Sequence, residues 1–362
     1  MTFRKFLITV HLYLGLTSAI FLVILGLSGS IMAFEGDIDH WLHPGLWYVA
    51  TSALTLPEQE LIAKMQERFA PARVAAVHIS RQSNLARVMQ MTDRSTVFVN
   101  PYDGAILGRC TGPTRTQNIL SSIHQLHLRL VFDPRGAGSF AQAGKRIVSI
   151  AGLLLCLIVP IGFVLWWKLK RATIRSSASW FRACFDIHNT IGIYAALFLF
   201  VAGFTGVLIG FDFGEEVILA LTHSSRPTFE KPPPSLPAAG ATPIHVDQAV
   251  QTARAVMPDA TVADIQLPLN PKGSFVIFMR VPEETSETVH SRVSIDQYSG
   301  KVLKLVDFKT DSLGYRVIRF NRSIHTGDVL GTPTHIVVSL SSLMLVVMVV
   351  TGIVIWWKKL AV

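Results

Sequence analysis

Two histidines each open a long apolar stretch of this sequence. His11 begins HLYLGLTSAIFLVILGLSGSIMAF, and His188 begins the similar string HNTIGIYAALFLFVAGFTGVLIGF. An ionisable side chain inside a membrane segment is costly, so its presence there points to function by default. The structural alternative is a histidine that donates a hydrogen bond to a backbone carbonyl, beside small residues that serve only helix–helix packing. Because the histidine recurs at the same place in both stretches, the sequence favours a functional pair.

Successive residues of a helix are rotated by about 100°, so every third or fourth residue lies on the same face. On such a helix, each of these histidines shares one face with small residues. The two equivalent faces comprise His11, Gly15, Ser18, Leu22 and Gly29, and His188, Gly192, Ala195, Leu199 and Gly206. Two neutral imidazoles facing across a symmetry axis, with glycine beside them to admit a flat ring, are typical of bis-histidine haem b ligation. We therefore expect His11 and His188 to bind the iron of one haem near the cytoplasmic face.

A second histidine set precedes two other apolar runs. SSIHQLHLRL contains His124 and His127, and NRSIHTGDVLG contains His325. The place of LH and IH in the two repeats makes His127 with His325 the first choice for a second haem iron, with His124 as the reserve ligand. Interfacial histidines at lipid headgroups are the alternative. His335 is aligned with Lys145, so symmetry does not support it as a ligand. Nearby arginines that could pair with haem propionates are Arg129, Arg146, Arg319 and Arg322.

Four apolar runs are long enough to cross a bilayer. They predict transmembrane helices at 1–34, 145–168, 188–211 and 334–358. Basic residues stand before the first helix, after the fourth, and in the loop 169–187 and its edges, with Lys168, Lys170, Arg171, Arg175 and Arg182. The excess of positive charge places all three segments in the cytoplasm. We therefore expect a multi-pass protein of a bacterial inner membrane, with both termini cytoplasmic and two periplasmic segments.

The chain reads as two copies of one unit in the same membrane orientation, which implies a pseudo-two-fold axis along the membrane normal. Each copy is a helix, an exported module and a second helix, and the modules span 35–144 and 212–333. Helical periodicity followed by alternating segments predicts an α+β fold for each module, with VNPYDGAIL and IDQYSGKVL as hairpins. A proline-rich linker at 226–243 tethers the second module.

Several function classes are excluded by what the sequence lacks. It contains no G-x-G-x-x-G, no G-x-x-x-x-G-K-[ST] and no H-E-x-x-H motif, so it does not itself bind nicotinamide or hydrolyse ATP by these known devices. It has 3 cysteines and no C-x-x-C-H run for covalent haem attachment. The net charge of +9 is largely the topogenic bias, so the expected contact is membrane lipid and not nucleic acid.

Together these residues resemble the PepSY-associated transmembrane family, whose members include periplasmic ferrisiderophore reductases. The resemblance rests on His11 with its glycine helix, the two Y-[DS]-G hairpins, LHLRL, IHTGDVLG and the helix ends GFVLWWK and GIVIWWK. It implies an integral membrane protein, mainly α, with four transmembrane helices in two parallel repeats, each carrying an exported α+β PepSY-like module. It also implies haem and the reduction of iron(III) bound to a siderophore in the periplasm.

The expected function is therefore an oxidoreductase that carries electrons through two haem b groups to a ferric siderophore docked between the two modules. The sequence has no flavin or nicotinamide domain, so the donor is expected to be a quinol or a cytoplasmic reductase. The main alternative is a membrane-anchored PepSY binding or sensor protein that regulates a peptidase without redox activity. A permease is disfavoured by the small number of helices and by spans without broken, charged segments.

Overall fold

The computed structural model describes residues 1–136, 138, 140–168, 172–174, 179–226, 231–237, 240–284 and 291–360. Its helices are α1 (Phe3–Met32), α2 (Glu35–Leu42), α3 (Pro44–Trp47), α4 (Glu58–Phe69), α5 (Arg115–Arg129), α6 (Ala141–Trp167), α7 (Trp180–Gly210), α8 (Asp212–Leu221), α9 (Val246–Val256), α10 (Leu313–Thr326) and α11 (Thr332–Leu360). Its strands are β1 (Val74–His78), β2 (Arg87–Met91), β3 (Ser95–Val99), β4 (Ile106–Thr111), β5 (Thr261–Gln266), β6 (Ser274–Arg280), β7 (Arg292–Asp296) and β8 (Val302–Val306).

These elements form two compact units. The helical unit comprises Met1–Glu35, Gln117–Ser224 and Val317–Val362, and the sheet unit comprises Gly36–Thr116 and Ser225–Arg316. Each unit draws on both sequence repeats, because the chain leaves the helical unit after α1 and again after α8. The strand-bearing parts of the two predicted modules therefore meet in one unit, and the four apolar helices meet in the other. The predicted bounds 35–144 and 212–333 are too wide, because α8 and most of α5 and α10 belong to the helical unit.

Within the described part of the chain, α1, α6, α7 and α11 are the four helices long and apolar enough to cross a membrane, which confirms the four predicted spans. Their outward faces carry exposed large side chains such as Tyr194, Leu197 and Phe204. Such a contiguous apolar surface is rare on a soluble protein and marks contact with another apolar phase. The helical unit is accordingly that of an integral membrane protein.

The four spans close into a ring in which α1 and α7 lie opposite each other. Helix α1 packs against α6 and α11, and α7 packs against the same two helices. The repeat alignment pairs α1 with α7 and α6 with α11, so the ring has the expected pseudo-two-fold symmetry. One consequence is that side chains directed inward from α1 and α7 face each other across the interior.

The middle of this bundle is filled by one leucine from each span. Leu22 of α1, Leu155 of α6, Leu199 of α7 and Leu345 of α11 are all buried and belong to one apolar cluster. The repeat alignment relates Leu22 to Leu199 and Leu155 to Leu345. We call these four residues the leucine layer.

The bounds of the four helices differ from those of the predicted spans. The predicted loop 169–187 is helical from Trp180, eight residues before the expected start of the third span at His188. Arg182 and Asp186 are stabilised there as an i,i+4 ion pair of 3.2 Å, which lets charged residues extend the helix. Helix α6 begins at Ala141 and not at 145, and α1 covers Phe3–Met32 and not 1–34. Lys170, Arg171 and Arg175, and linker residues 227–230, 238 and 239, lie outside the described residues.

The sheet unit contains one antiparallel sheet of eight strands in the order β4-β3-β2-β1-β5-β6-β7-β8. Each predicted module supplies four consecutive strands, and the modules join where β1 pairs with β5, with Val77 opposite Ile265 and His78 opposite Asp264. Side chains from both halves form a single apolar core beneath α4 and α9. The two modules are therefore joined directly by a hydrogen-bonded seam.

The two helices over the sheet cap each other's first turns. Asp247 of α9 accepts hydrogen bonds from the backbone N–H groups of Glu58 (3.0 Å) and Gln59 (3.3 Å) at the start of α4. In return, the Gln59 side-chain oxygen accepts from the N–H of Val246, the first residue of α9, at 3.1 Å. The first N–H groups of a helix have no partner within it, so this exchange satisfies donors in both modules and ties them together.

The two Y-[DS]-G hairpins have equivalent backbone geometry, as the sequence predicts. Gly104 and Gly300 have φ values of 75° and 68°, in the left-handed region that glycine adopts without a Cβ penalty. Asn100 and Asp296 begin the turns and accept hydrogen bonds from the N–H groups two residues further on, at 3.0 and 2.9 Å. The hairpins β3–β4 and β7–β8 thus form the two edges of the sheet.

Candidate functional site

The structure brings His11 and His188 together across the bundle. Their imidazole centroids are 6.4 Å apart, and the ring planes are perpendicular at 90°. The two rings come from α1 and α7, which lie opposite each other in the ring of spans. We call these residues the inner pair, because they lie toward the predicted cytoplasmic ends of the helices.

His127 and His325 form a second pair with the same spacing. Their ring centroids are also 6.4 Å apart, and the planes meet at 59°. His127 lies near the end of α5 and His325 near the end of α10, and each ring packs against a span: His127 against Ser28 of α1, and His325 against Thr205 of α7. We call these residues the outer pair. Counted along α1 from His11 to Ser28, the two pairs are separated by about 25 Å of helix.

All four imidazoles are held through the same ring atom. His11 Nδ1 lies 3.2 Å from the carbonyl oxygen of Ile158, and His188 Nδ1 lies 3.0 Å from Thr351 Oγ1. In the outer pair, His127 Nδ1 is 2.9 Å from Ser28 Oγ and His325 Nδ1 is 2.9 Å from Thr205 Oγ1. Each ring is thereby oriented from one nitrogen, which leaves Nε2 as the atom that can coordinate a metal.

A glycine of a neighbouring span lies against each of the four rings. A Cβ added at Gly162 or Gly352 would lie 3.0 or 3.4 Å from Cε1 of His11 or His188. At Gly29 and Gly206 it would lie 3.2 and 3.1 Å from Cε1 of His127 and His325. The sequence places Gly29 and Gly206 on the same helix faces as His11 and His188. In the structure both contact the outer imidazoles, at the far end of the bundle.

The sequence misses the polar atoms that orient the rings, although a signal for them is present. Ser28, Thr205 and Thr351 each immediately precede the glycine that touches the same ring, so a hydroxyl–glycine dipeptide marks three of the four contacts. The fourth dipeptide is Ile161-Gly162, and there the carbonyl of Ile158 serves as the acceptor.

The remaining histidines considered as ligands are engaged elsewhere. His124 Nδ1 is 2.9 Å from Glu35 Oε2, and His335 Nε2 is 3.1 Å from Asp328 Oδ1. The reserve ligand His124 thus contacts a carboxylate, while His127, on the same helix, faces His325. Of the arginines expected near haem propionates, Arg129 lies on α5, Arg319 and Arg322 on α10, and Arg146 is exposed on α6.

The geometry of both pairs fits a bis-imidazole metal site. Metal–imidazole nitrogen bonds are about 2 Å long, so with about 1 Å from each nitrogen to its ring centre, two trans imidazoles have centroids roughly 6 Å apart. Among the described residues, no three histidine, cysteine or acidic side chains come together as a metal site. Two protein ligands per site suit an iron whose other positions are filled by a porphyrin. Gly15, one turn from His11, would meet nothing within 4 Å if it carried a Cβ, whereas a Cβ at the equivalent Gly192 would lie 2.9 Å from Cε of Met348. Space beside the inner pair is therefore open at Gly15 on α1.

Fold and site together define an integral membrane protein with a four-helix, pseudo-symmetric bundle, two facing histidine pairs and an α+β sheet unit. The model of the PepSY-associated TM region matches residues 8–359, nearly the whole chain. The chain therefore belongs to the PepSY-associated transmembrane family. No curated protein sequence matches the chain.

Proposed function

We propose that this protein is a b-type haem oxidoreductase of a bacterial inner membrane that carries electrons to a ferric siderophore in the periplasm. The observation that carries the proposal is the presence of two facing imidazole pairs with equal centroid separations of 6.4 Å. Both pairs have Nδ1 engaged by the protein, and they lie at opposite ends of a membrane bundle. A mere membrane anchor has no need of this arrangement.

In this proposal, His11 and His188 would hold the iron of one haem, and His127 and His325 would hold that of the second. Haem held by two histidines supplies reversible one-electron transfer. The Ile158 carbonyl and the Ser28, Thr205 and Thr351 hydroxyls keep the four rings oriented. Two centres are needed because the hydrocarbon core is about 30 Å thick, too wide for one fast tunnelling step.

The leucine layer lies between the two histidine pairs and closes the bundle to water. Leu22, Leu155, Leu199 and Leu345 are each no more than 7% exposed. An ion entering an apolar layer loses its hydration without compensation, which costs many kcal/mol. An electron needs no such solvation to tunnel. The layer therefore supports electron transfer and disfavours the permease alternative.

We further propose that both termini lie in the cytoplasm and that the sheet unit lies in the periplasm. The donor, a quinol or a cytoplasmic reductase, then delivers electrons at the inner pair. One electron reduces iron(III) in the chelate to iron(II). Siderophore oxygen donors bind iron(II) poorly, so the reduction releases the metal for uptake.

The first experiment is the absorbance of detergent-purified protein from cells well supplied with haem, oxidised and then reduced with dithionite, with pyridine haemochrome quantitation. About two haems per chain are expected from the two bis-histidine sites. Mixing the reduced protein anaerobically with a ferric hydroxamate siderophore should then reoxidise the haem and yield iron(II), trapped by ferrozine. Protein without haem would overturn the proposal in favour of the binding or sensor alternative. Haem that the chelate fails to reoxidise would overturn the assigned substrate.

A further inference from the structure

Three hydroxyl groups beside the histidine pairs have already donated their own hydrogens. Ser28 Oγ donates to the Ile24 carbonyl at 2.6 Å, Thr205 Oγ1 to that of Val201 at 2.7 Å, and Thr351 Oγ1 to that of Val347 at 2.7 Å. A serine or threonine hydroxyl has a single hydrogen to donate. Towards the adjacent imidazole, each oxygen can therefore only accept.

This constraint fixes the tautomer of the imidazoles. Because the hydroxyl oxygens accept, Nδ1 of His127, His325 and His188 must carry the hydrogen. A backbone carbonyl likewise can only accept, so His11 Nδ1 carries its hydrogen as well. In a neutral imidazole with hydrogen on Nδ1, the lone pair is on Nε2. All four rings are thus set in the form that binds a metal through Nε2.

At the inner pair, the two repeats provide different acceptors for the Nδ1 hydrogen. The shared GFVLWWK and GIVIWWK ends align Ile161 with Thr351 and Gly162 with Gly352. Isoleucine has no hydroxyl, and the His11 ring instead reaches the main chain of α6 directly. At the inner pair, His11 is therefore held by the backbone, whereas His188 contacts both the Met348 backbone and the Thr351 hydroxyl, a side chain that can be substituted.

We propose that Ser28, Thr205 and Thr351 are positioning residues, which hold His127, His325 and His188 as pre-oriented Nε2 ligands. This inference rests on the proposed haem function. Partners that orient a metal-bound histidine typically contribute about 10–100-fold in metal affinity. Each of these rings also has a backbone hydrogen-bond partner, at Leu25 for His127, Ala202 for His325 and Met348 for His188. Removing the hydroxyl therefore takes away one of two acceptors and loosens the orientation of the ring.

The test compares Thr351→Val, which keeps the side-chain shape, with Thr351→Ser, which keeps the hydroxyl. Thr17→Val is the matched control, since Thr17 Oγ1 also bonds the carbonyl four residues earlier (Tyr13, 2.9 Å) on a span. Haem loss is followed by transfer to excess apomyoglobin, and the midpoint potential of each haem by spectroelectrochemical titration. Neither readout depends on reductase activity, and the outer haem reports in the same sample whether the bundle remains folded.

Thr351→Val should release the inner haem about 10–100-fold faster and shift its midpoint potential, with the outer haem unchanged. Thr351→Ser should remain close to the wild-type protein. Ser28→Ala and Thr205→Val should affect the outer haem in the same way. If Thr351→Val behaves like Thr17→Val in both measurements, the positioning role is overturned while the haem function stands. Wild-type protein without haem would instead overturn the proposed function, and this inference with it.

Discussion

His127 and His325 lie on different helices from different sequence repeats, yet their imidazole centroids are 6.4 Å apart, the same distance that separates His11 from His188. The two pairs share the same contacts with neighbouring helices. In each of them, a ring nitrogen is held by an oxygen on a neighbouring helix, and a glycine of that helix contacts the ring carbon Cε1.

Replacing one ligand should empty one site and leave the other filled. His11→Ala and His188→Ala should each lose about one of the two proposed haems, and so should His127→Ala and His325→Ala, because a bis-histidine site needs both of its histidine nitrogens. Pyridine haemochrome content measures the loss. His335→Ala and His124→Ala are the controls, since both rings contact carboxylates. Full haem in both inner-pair variants would disprove that ligand assignment.

The two sites should be distinguishable by electron paramagnetic resonance. Axial ligation is one of the protein's main controls on haem iron, and perpendicular imidazole planes produce a more anisotropic low-spin signal than planes closer to parallel. The inner pair meets at 90° and the outer pair at 59°. Oxidised protein should therefore show two low-spin signals, and His188→Ala should remove the more anisotropic one. Loss of the less anisotropic signal in that variant would contradict the geometry.

Adding a methyl group at a glycine beside a ring should disturb that ring. Gly162→Ala would place a Cβ 3.0 Å from Cε1 of His11, which is closer than ordinary contact. The ring must then move from its position, and we expect a loss of inner haem affinity of roughly 10–100-fold, as for other changes in ligand orientation. Gly152→Ala, in the same span, is the control because its Cβ would meet Val207 at an ordinary 3.5 Å. Equal haem affinity in the two variants would show that close approach at Gly162 is unimportant.

Removing the exchange of caps in the sheet unit should lower its stability. Asp247→Ala leaves the first N–H groups of α4 without their carboxylate acceptor. Loss of such an acceptor costs about 1 kcal/mol in the free energy of unfolding. The full-length protein in detergent should unfold at a lower temperature, followed by circular dichroism in the β-sheet region. Asp247→Asn keeps one acceptor oxygen and should lie between the two; a wild-type melting curve for Asp247→Ala would refute the role.

The Y-S-G hairpin should contribute stability that depends on pH. Burial alone would raise the pKa of Asp296, but hydrogen bonds from the N–H groups of Ser299, Tyr298 and Leu236 and from the Ser299 hydroxyl outweigh burial and lower it. A carboxyl group whose pKa is lower in the folded protein stabilises the fold above its unfolded pKa. That contribution disappears as the pH falls through the lower, folded value.

Asp296→Asn therefore should lower the melting temperature at neutral pH, and the difference from wild type should shrink as the pH falls below about 4, the ordinary range of an aspartate pKa. Asn100 holds the equivalent turn in the first hairpin, so Asn100→Asp is the converse variant and should gain pH dependence. A constant difference between Asp296→Asn and wild type across this range would show that the Asp296 charge plays no part.

Much of this architecture is readable from the sequence because it depends on local patterns. Long apolar runs predict the four spans, since a helix of that length satisfies its own backbone hydrogen bonds in lipid. The recurrence of His11 at His188 indicates that both occupy the same depth. The Y-[DS]-G segments predict the two hairpins, because the left-handed position at Gly104 and Gly300 requires glycine.

Other features were decided by contacts between segments far apart in the chain. The pairing of β1 with β5 joins the two modules into one sheet. It is made by backbone hydrogen bonds between strand edges, and no residue pattern in the sequence indicates which edges will pair. Helix α7 starts at Trp180, within a charged segment that the sequence marks as a loop, and there Arg182 and Asp186 form an ion pair along the helix. The choice between His124 and His127 has the same origin, since the tertiary contacts of α5 direct His124 to Glu35 of α2 and His127 to Ser28 of α1. Sequence periodicity determined which residues share a helix face, and tertiary packing determined which faces meet.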